Sequence, residues 1–177
     1  MKLYVIRHGR TKLNEENKYN GTYDEDITER GIEQANEASK IVRKLDIDLI
    51  ICSPLLRTRH TCEIINVNNI PVIYDERIQE RECGVLTCKD LGAFYKTDYW
   101  NYYSKAKIDG LESIPHLFDR VKQFLEEIKE KYKDKNILIV THGGIARGVY
   151  FYFNEIPDDG MLGKFGSSNC GIKEYEL

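Results

Sequence analysis

Two histidines that each precede a glycine could carry the chemistry of this chain. His8 follows the apolar residues 3–6 and stands beside Arg7, and His142 follows the apolar residues 137–140. A histidine ring offers a nitrogen nucleophile, and an adjacent guanidinium offers five N–H donors that suit the oxygens of a phosphate group. These residue types therefore point to a site for a phosphorylated substrate.

Two more side chains with suitable chemistry follow other apolar runs. Arg57 comes shortly after residues 47–52, and Glu80 comes shortly after residues 71–74. Taken singly, each would be read as an ordinary charge on the protein surface. In an open α/β sheet, however, ligands bind in the crevice outside the carboxyl ends of the parallel strands. The spacing therefore predicts that both side chains share one crevice with the two histidines.

Apolar periodicity predicts the elements that would position these groups. It predicts strands over residues 3–6, 47–52, 71–74, 136–140 and 171–177, helices over residues 28–45, 54–65 and 117–128, and another helix that begins at Gly143. Thr28 is a predicted N-cap, Pro54 a predicted first-turn residue, and the polar residues 14–26 a predicted loop. The fold class is therefore α/β, a three-layer α/β/α sandwich whose mostly parallel sheet has an antiparallel edge strand.

Composition sets limits on the class of protein. The chain has 177 residues, of which 41% are hydrophobic and 31% charged, so we predict one domain over residues 1–177. The net charge of −3 argues against nucleic acid or an anionic membrane as a partner. Any affinity for phosphate must come from a local cluster of positive charge.

The cysteines and the apolar runs bear on the location of the protein. Five cysteines form no CxxC pair and no zinc-ligand spacing, which favours a reduced protein without a structural metal. We find no signal-peptide pattern and no apolar run of membrane length. We therefore expect a cytoplasmic protein. Its oligomeric state is left open between a monomer and a homodimer.

The motifs resemble those of one known family, the histidine phosphatase superfamily with its phosphoglycerate-mutase-like fold. Arg7-His8-Gly9 with Thr11 and Asn14 is similar to the signature of that superfamily. The resemblance continues in the family's order through Asn20-Gly21, residues 27–31 with Gln34, residues 53–57 with Thr61, Glu80-Arg81 with Gly84, Glu112-Ser113, residues 141–144 and Asn169-Cys170. It spans nearly the whole chain.

The resemblance implies a reaction through a phosphohistidine. His8 would attack phosphorus, and Arg7, Arg57 and His142 would surround the phosphoryl oxygens. Glu80 would protonate the leaving oxygen and then activate water. No metal and no cofactor are implied.

Further residues are implied as contacts to the phosphate or to the rest of the substrate. Besides Arg7 and Arg57, they are Asn14, Thr11, Gly143, Asn20, Gly21 and Arg81. The backbone N–H of Gly143 stands at a helix entry, which suits an anion. Arg10 occupies a position where the family often has Glu or Gln, so it receives no role.

The resemblance favours a phosphatase acting on a small phosphorylated metabolite, and phosphoglycerate mutase is the alternative. A mutase would need extra basic residues in a long insertion between the acid and the second histidine. This segment is short, holds no Arg-Arg pair, and has Arg81 and Arg120 as its only arginines. A phosphate-binding regulatory protein without turnover is less favoured, because all five catalytic residues are present. A nucleotide-binding module would need a GxGxxG or P-loop motif, and the chain has neither.

An aromatic-rich stretch is the candidate for a cap over the site. Residues 94–103 contain five tyrosines or phenylalanines besides Trp100, within a predicted small helical cap over residues 85–112. These side chains either pack in the core or line the pocket. If they line the pocket, the leaving group has an apolar, ring or sugar part.

Overall fold

Five strands form one mixed sheet at the centre of the molecule. In the computed structural model, which describes residues 1–177, they are β1 (Lys2–Arg7), β2 (Leu49–Cys52), β3 (Val72–Tyr74), β4 (Ile137–Thr141) and β5 (Ile172–Glu176). The order across the sheet is β3-β2-β4-β1-β5. The first four strands are parallel, and β5 runs antiparallel to β1 at the edge. The predicted fold class and the antiparallel edge strand are confirmed.

Helices cover both faces of this sheet. They are α1 (Lys12–Glu15), α2 (Glu29–Val42), α3 (Leu56–Ile65), α4 (Gly92–Phe94), α5 (Ile114–Lys131) and α6 (Gly143–Tyr152). Side chains alternate along a strand, so β1 sends Leu3 and Val5 into a core with α5 and α6, and Tyr4 and Ile6 into a second core with α2 and α3. No helix is both long and apolar enough to cross a membrane.

The starts of the long helices follow the capping residues in the sequence. Thr28 Oγ1 accepts a hydrogen bond from the N–H of Gly31 at the start of α2. Ser113 Oγ accepts from the N–H of His116 at the start of α5. These side chains satisfy backbone donors that have no partner within the helix.

Two local predictions differ from the structure, the first at Pro54 and the second only at residues 14 and 15. The predicted first-turn residue Pro54 precedes α3, which begins at Leu56, because Leu55 keeps an extended backbone as its N-cap. The predicted loop over residues 14–26 overlaps the single turn α1, which Thr11 caps by accepting the N–H of Asn14. A capped turn of this length leaves no apolar periodicity in the sequence.

The aromatic-rich stretch folds into short helical turns rather than a strand or a long helix. After α4, residues Tyr95–Tyr99 form a π-helical turn. Tyr99 and Trp100 are buried in the core that contains α5 and α6, whereas Tyr103 is exposed. A separate cap over residues 85–112 stays a prediction.

The exit of β1 packs tightly on α2 through two glycines. A Cβ on Gly9 would lie 2.6 Å from the backbone oxygen of Gly31, and one on Gly31 would lie 2.8 Å from the backbone nitrogen of Arg10. The absence of both side chains therefore lets the segment after β1 rest on the first turn of α2.

We expect Gly31→Ala to lower the free energy of unfolding by about 1–3 kcal/mol, because its Cβ meets backbone atoms that cannot rotate away. Chemical denaturation measures the change. The control is Glu33→Ala at an exposed position of α2, which we expect to stay within about 0.5 kcal/mol of the wild type. Equal effects of the two substitutions would contradict the steric argument.

Candidate active site

A cavity of about 280 Å³ lies where β1 ends and α6 begins. Six of the predicted site residues line it, namely Arg7, Asn14, Asn20, Gly21, Glu80 and Gly143. The other five, His8, Thr11, Arg57, Arg81 and His142, are buried in the surrounding structure. No group of three or more His, Cys, Asp or Glu side chains is arranged to hold a metal ion.

The two histidines meet because their strands are neighbours. β1 and β4 are adjacent and parallel, with Arg7 opposite Thr141, so the next residue of each strand is a histidine. The ring centroids of His8 and His142 are 5.2 Å apart in an edge-on arrangement. The sheet topology thus joins two motifs that are far apart in the sequence.

His8 is held in the form that a nucleophile needs. Its Nδ1 lies 2.7 Å from the carbonyl oxygen of Gly9, which can only accept a hydrogen bond, so Nδ1 carries the proton. Burial, together with the charges of Arg57 and Arg7, holds the pKa of His8 well below its ordinary value of 6.5. The ring is therefore neutral at pH 7, and the lone pair of Nε2 is available.

His142 is anchored through one ring nitrogen only. Its Nε2 lies 2.7 Å from Ser53 Oγ, and its buried Nδ1 has no partner in the protein. Burial and the charge of Arg57 hold the pKa of His142 well below 6.5. When Nδ1 carries the proton, it is a donor for an oxygen atom beside His8.

Arg57 is buried and Arg7 is half-buried beside the histidines, and neither forms an ion pair with a carboxylate. Arg7 Nη1 donates to the carbonyl of Ser167 at 2.8 Å, and Arg57 donates to the carbonyls of Gly21 and Tyr23 at 2.8 Å. The Nε atoms of both arginines are buried without a partner. Carbonyls orient these cations but do not neutralise them, and burial lowers the pKa of each.

Glu80 is held at the N-terminus of α6. Its carboxylate accepts the N–H of Gly144 at 3.0 Å and the N–H of Arg81 at 2.8 Å. Unpaired N–H groups at the start of a helix are natural partners for a carboxylate. Glu80 therefore reaches the cavity with its position fixed by the helix that follows His142.

A chain of side-chain amides supports the cavity on the other side. Asn14 donates to Asn20 Oδ1 and accepts from Asn169 Nδ2, both at 3.2 Å. Asn20 in turn donates to Thr11 Oγ1 at 3.0 Å. Thr11 thus supports the loop and α1, whereas Asn14 and Asn20 reach the cavity.

The segment before β5 closes over the exit of β1. Ser167 accepts from Arg7, Asn169 Nδ2 donates to the carbonyl of His8 at 3.0 Å, and the N–H of Cys170 donates to the carbonyl of Arg7 at 2.9 Å. These contacts fix the backbone of the residues that carry the first motif.

Arg81 lies outside the cavity, although the resemblance implies a substrate contact. It donates to the carbonyls of Glu112, at 2.8 Å, and Tyr99, and its guanidinium lies 4.4 Å from the ring centroid of Tyr99. The aromatic stretch therefore draws this side chain away from the site. We do not propose it as a phosphate ligand.

Arg147 lines the cavity, although the sequence motifs did not predict it as a site residue. It lies one helical turn after Gly143 and is the only charged residue of the otherwise apolar α6. A single charged residue one turn after Gly143, in an otherwise apolar helix, was the signal from which this side chain could have been predicted. The aromatic stretch divides, because Tyr95, Tyr99 and Trp100 line the cavity whereas Phe94 and Tyr103 do not.

The sequence matches the histidine phosphatase superfamily (branch 1) over residues 3–177. The chain belongs to this superfamily. The predicted resemblance is thereby confirmed.

Individual histidine phosphatases resemble the chain over most of its length. It is 29% identical to "Phosphoserine phosphatase 1" of Hydrogenobacter thermophilus, over all of this chain and 85% of that protein. It is 32% identical to "Probable phosphoglycerate mutase GpmB" of Escherichia coli, over 84% and 72% of the two chains. The solved structure of the α-ribazole phosphatase from Shigella flexneri superposes with a TM-score of 0.83 at 26% identity, over 100% and 91% of the two chains.

Gly144 is the position at which a small change should disturb this site most selectively. A Cβ there would overlap Glu80 Oε1 and lie 3.1 Å from the ring of Trp100. We expect Gly144→Ala to displace the carboxylate and lower kcat/KM for an alkyl phosphate by about 10²-fold, within the range for losing an acid–base group.

The matched comparison is Gly143→Ala, whose Cβ would lie 3.5 Å from the Arg7 guanidinium, an ordinary contact. We expect it to lose far less activity. Similar losses of activity in the two variants would contradict the view that a side chain at position 144 acts by displacing Glu80.

Proposed function

We propose that this protein is a phosphomonoester hydrolase that acts on a small phosphorylated metabolite through a phosphohistidine on His8. One observation carries the proposal. Three buried nitrogen atoms, Arg7 Nε, Arg57 Nε and His142 Nδ1 in its protonated form, are donors without a partner in the protein and belong to residues packed around a neutral His8. Buried polar groups are almost always hydrogen-bonded, so these donors match the oxygens of a bound phosphoryl group.

The proposed reaction has two displacements. His8 Nε2 attacks phosphorus while the ester P–O bond breaks, and Glu80 in its acid form gives its proton to the leaving oxygen. Glu80, now a carboxylate, then takes a proton from the water that attacks the phosphohistidine. The P–N bond breaks, and phosphate and neutral His8 are regenerated. Arg7, Arg57 and His142 stabilise the charge on the phosphoryl oxygens in both steps.

The remaining contacts are assigned from the cavity. Asn14, Asn20 and the N–H of Gly143 line it and are proposed to bind the phosphoryl group. Gly21 acts through its carbonyl, which orients Arg57. Thr11 supports Asn14 and Asn20 through its hydroxyl.

Hydrolysis is favoured over transfer to a second phosphorylated molecule. By the family resemblance, transfer needs additional basic residues between Glu80 and His142. Arg81 is bound to backbone carbonyls, and Arg120 pairs with Glu112 at 2.7 Å, so neither arginine reaches the cavity. A relative named as a phosphoserine phosphatase and one named as an α-ribazole phosphatase support the same choice.

We further propose one domain in which residues 85–112 cap the site, because Leu91, Tyr95 and Trp100 from this stretch line the cavity. We propose a cytoplasmic location as well. All five cysteines are free, which is typical of a reducing compartment.

His8→Ala should abolish turnover of p-nitrophenyl phosphate, because the proposed reaction begins with attack by the Nε2 lone pair of His8. Rapid quenching of the wild type with ³²P-labelled substrate should trap an acid-labile, base-stable phosphoenzyme that the variant does not form. His116→Ala, which changes an exposed histidine on α5, is the control and should form it normally. A fully active His8→Ala variant would refute the proposal.

Glu80→Gln should lose most activity on esters with poor leaving groups. The amide cannot donate a proton to the leaving oxygen, and alkoxides need that proton more than p-nitrophenolate does. We expect a loss of about 10²–10⁴-fold in kcat/KM for an alkyl phosphate and a smaller loss for p-nitrophenyl phosphate. Equal losses on both substrates would remove the acid role from Glu80.

A further inference from the structure

The cavity wall holds a cation that the proposed chemistry does not use. We propose that Arg147 binds a second anionic group, carried by the leaving group of the substrate. The preferred substrates would then be phosphomonoesters that also bear a carboxylate or another phosphate. This inference rests on the proposed function, since Glu80 as the acid defines where the leaving group lies.

Arg147 is held in one orientation. It is 5% exposed, its Nε donates to the carbonyl of Leu162 at 3.0 Å, and its Nη2 donates to that of Gly163 at 3.4 Å. The guanidinium carbon lies 3.9 Å from the ring centroid of Trp100, as in a cation–π contact. Nη1 makes no hydrogen bond to the protein, so it can donate to a molecule in the cavity.

The charge of Arg147 has no counter-charge within the protein. No carboxylate forms an ion pair with it, although buried charges are normally paired. Burial lowers the pKa of Arg147 to about 10, so the side chain is still a cation at neutral pH. Lys18, another cation of the cavity wall, differs because Glu16 pairs with it at 2.7 Å.

Arg147 lies on the side of the cavity where the leaving group departs. The N–H of Gly144 donates to Glu80, a Cβ on Gly144 would lie 3.1 Å from the ring of Trp100, and the same ring stacks on Arg147. The acid, the indole and the guanidinium are therefore consecutive along one wall. A leaving group that takes its proton from Glu80 would pass over Trp100 and place an anionic substituent beside Arg147.

A purely structural role of Arg147 would predict different kinetic results for its variants. If Arg147 only tied α6 to the carbonyls of Leu162 and Gly163, removing it would weaken the fold and slow every substrate alike. An anion-binding role predicts losses that depend on the charge of the leaving group. The distinguishing quantity is a ratio of kcat/KM values between matched substrates.

The test uses two pairs of phosphate esters and the full chain. 3-Phosphoglycerate and glycerol 3-phosphate differ by a carboxylate in place of a hydroxymethyl group, and fructose 1,6-bisphosphate and fructose 6-phosphate differ by a second phosphate. We expect the wild type to prefer the more anionic member of at least one pair by about 10-fold or more in kcat/KM. The pair that shows the preference tells carboxylate from phosphate.

In Arg147→Met, we expect this ratio to fall by about 10- to 100-fold, the loss of one charge-assisted hydrogen bond. Arg147→Lys keeps the charge and should retain part of the preference. Lys18→Gln removes a cation that is already paired and should leave the ratio within about 3-fold of the wild type. Thermal unfolding of each variant reports whether it is folded.

Three results would overturn the inference: a wild-type ratio near one for both pairs, equal losses on all substrates in a folded Arg147 variant, or the same change of ratio in Lys18→Gln. The first does not depend on any variant folding. Failure of the proposed function is recognised separately, because the wild type would then neither hydrolyse p-nitrophenyl phosphate nor form a phosphoenzyme.

Discussion

Burial of guanidinium groups beside a neutral histidine is the physical constraint on which this site depends. Removing a cation from water is costly unless something replaces its hydration. Here backbone carbonyls replace water as hydrogen-bond acceptors for Arg7, Arg57 and Arg147. They do not neutralise the positive charge of these side chains. Burial, together with these positive surroundings, keeps a proton off His8 Nε2. One arrangement thus attracts an anion and keeps the nucleophile in its reactive form.

The sheet topology makes this arrangement possible. β4 lies between β1 and β2, so the segments after these three strands converge at one end of the sheet. The segment after β4 is itself the start of α6, whose first N–H groups hold Glu80. The acid therefore depends on the same helix that follows His142. A shift of α6 would move the acid and the second histidine together.

Much of this could be predicted from the sequence because the signals are local. Apolar runs defined the strands, Thr28 marked a helix start, and the residues after each strand indicated the candidate site. Arg81 and Arg147 show where such reasoning ends. Contacts with Tyr99 and Trp100 orient these two side chains, and both aromatic residues lie in a stretch with weak apolar periodicity. Tertiary packing therefore determines which arginine lines the cavity. The single turn α1 was not predicted for a similar reason, because one helical turn is too short to show a periodic pattern of apolar residues.

The contacts of Ser167, Asn169 and Cys170 with the exit of β1 join residues near opposite ends of the sequence. During synthesis, His8 leaves the ribosome early, but its backbone and its neighbouring arginine acquire these partners only after the segment leading into β5 has emerged. The edge strand β5 must then pair with β1 to hold that segment in place. The last contacts around His8 therefore form only after the end of the chain that contains β5 is available to pair with β1.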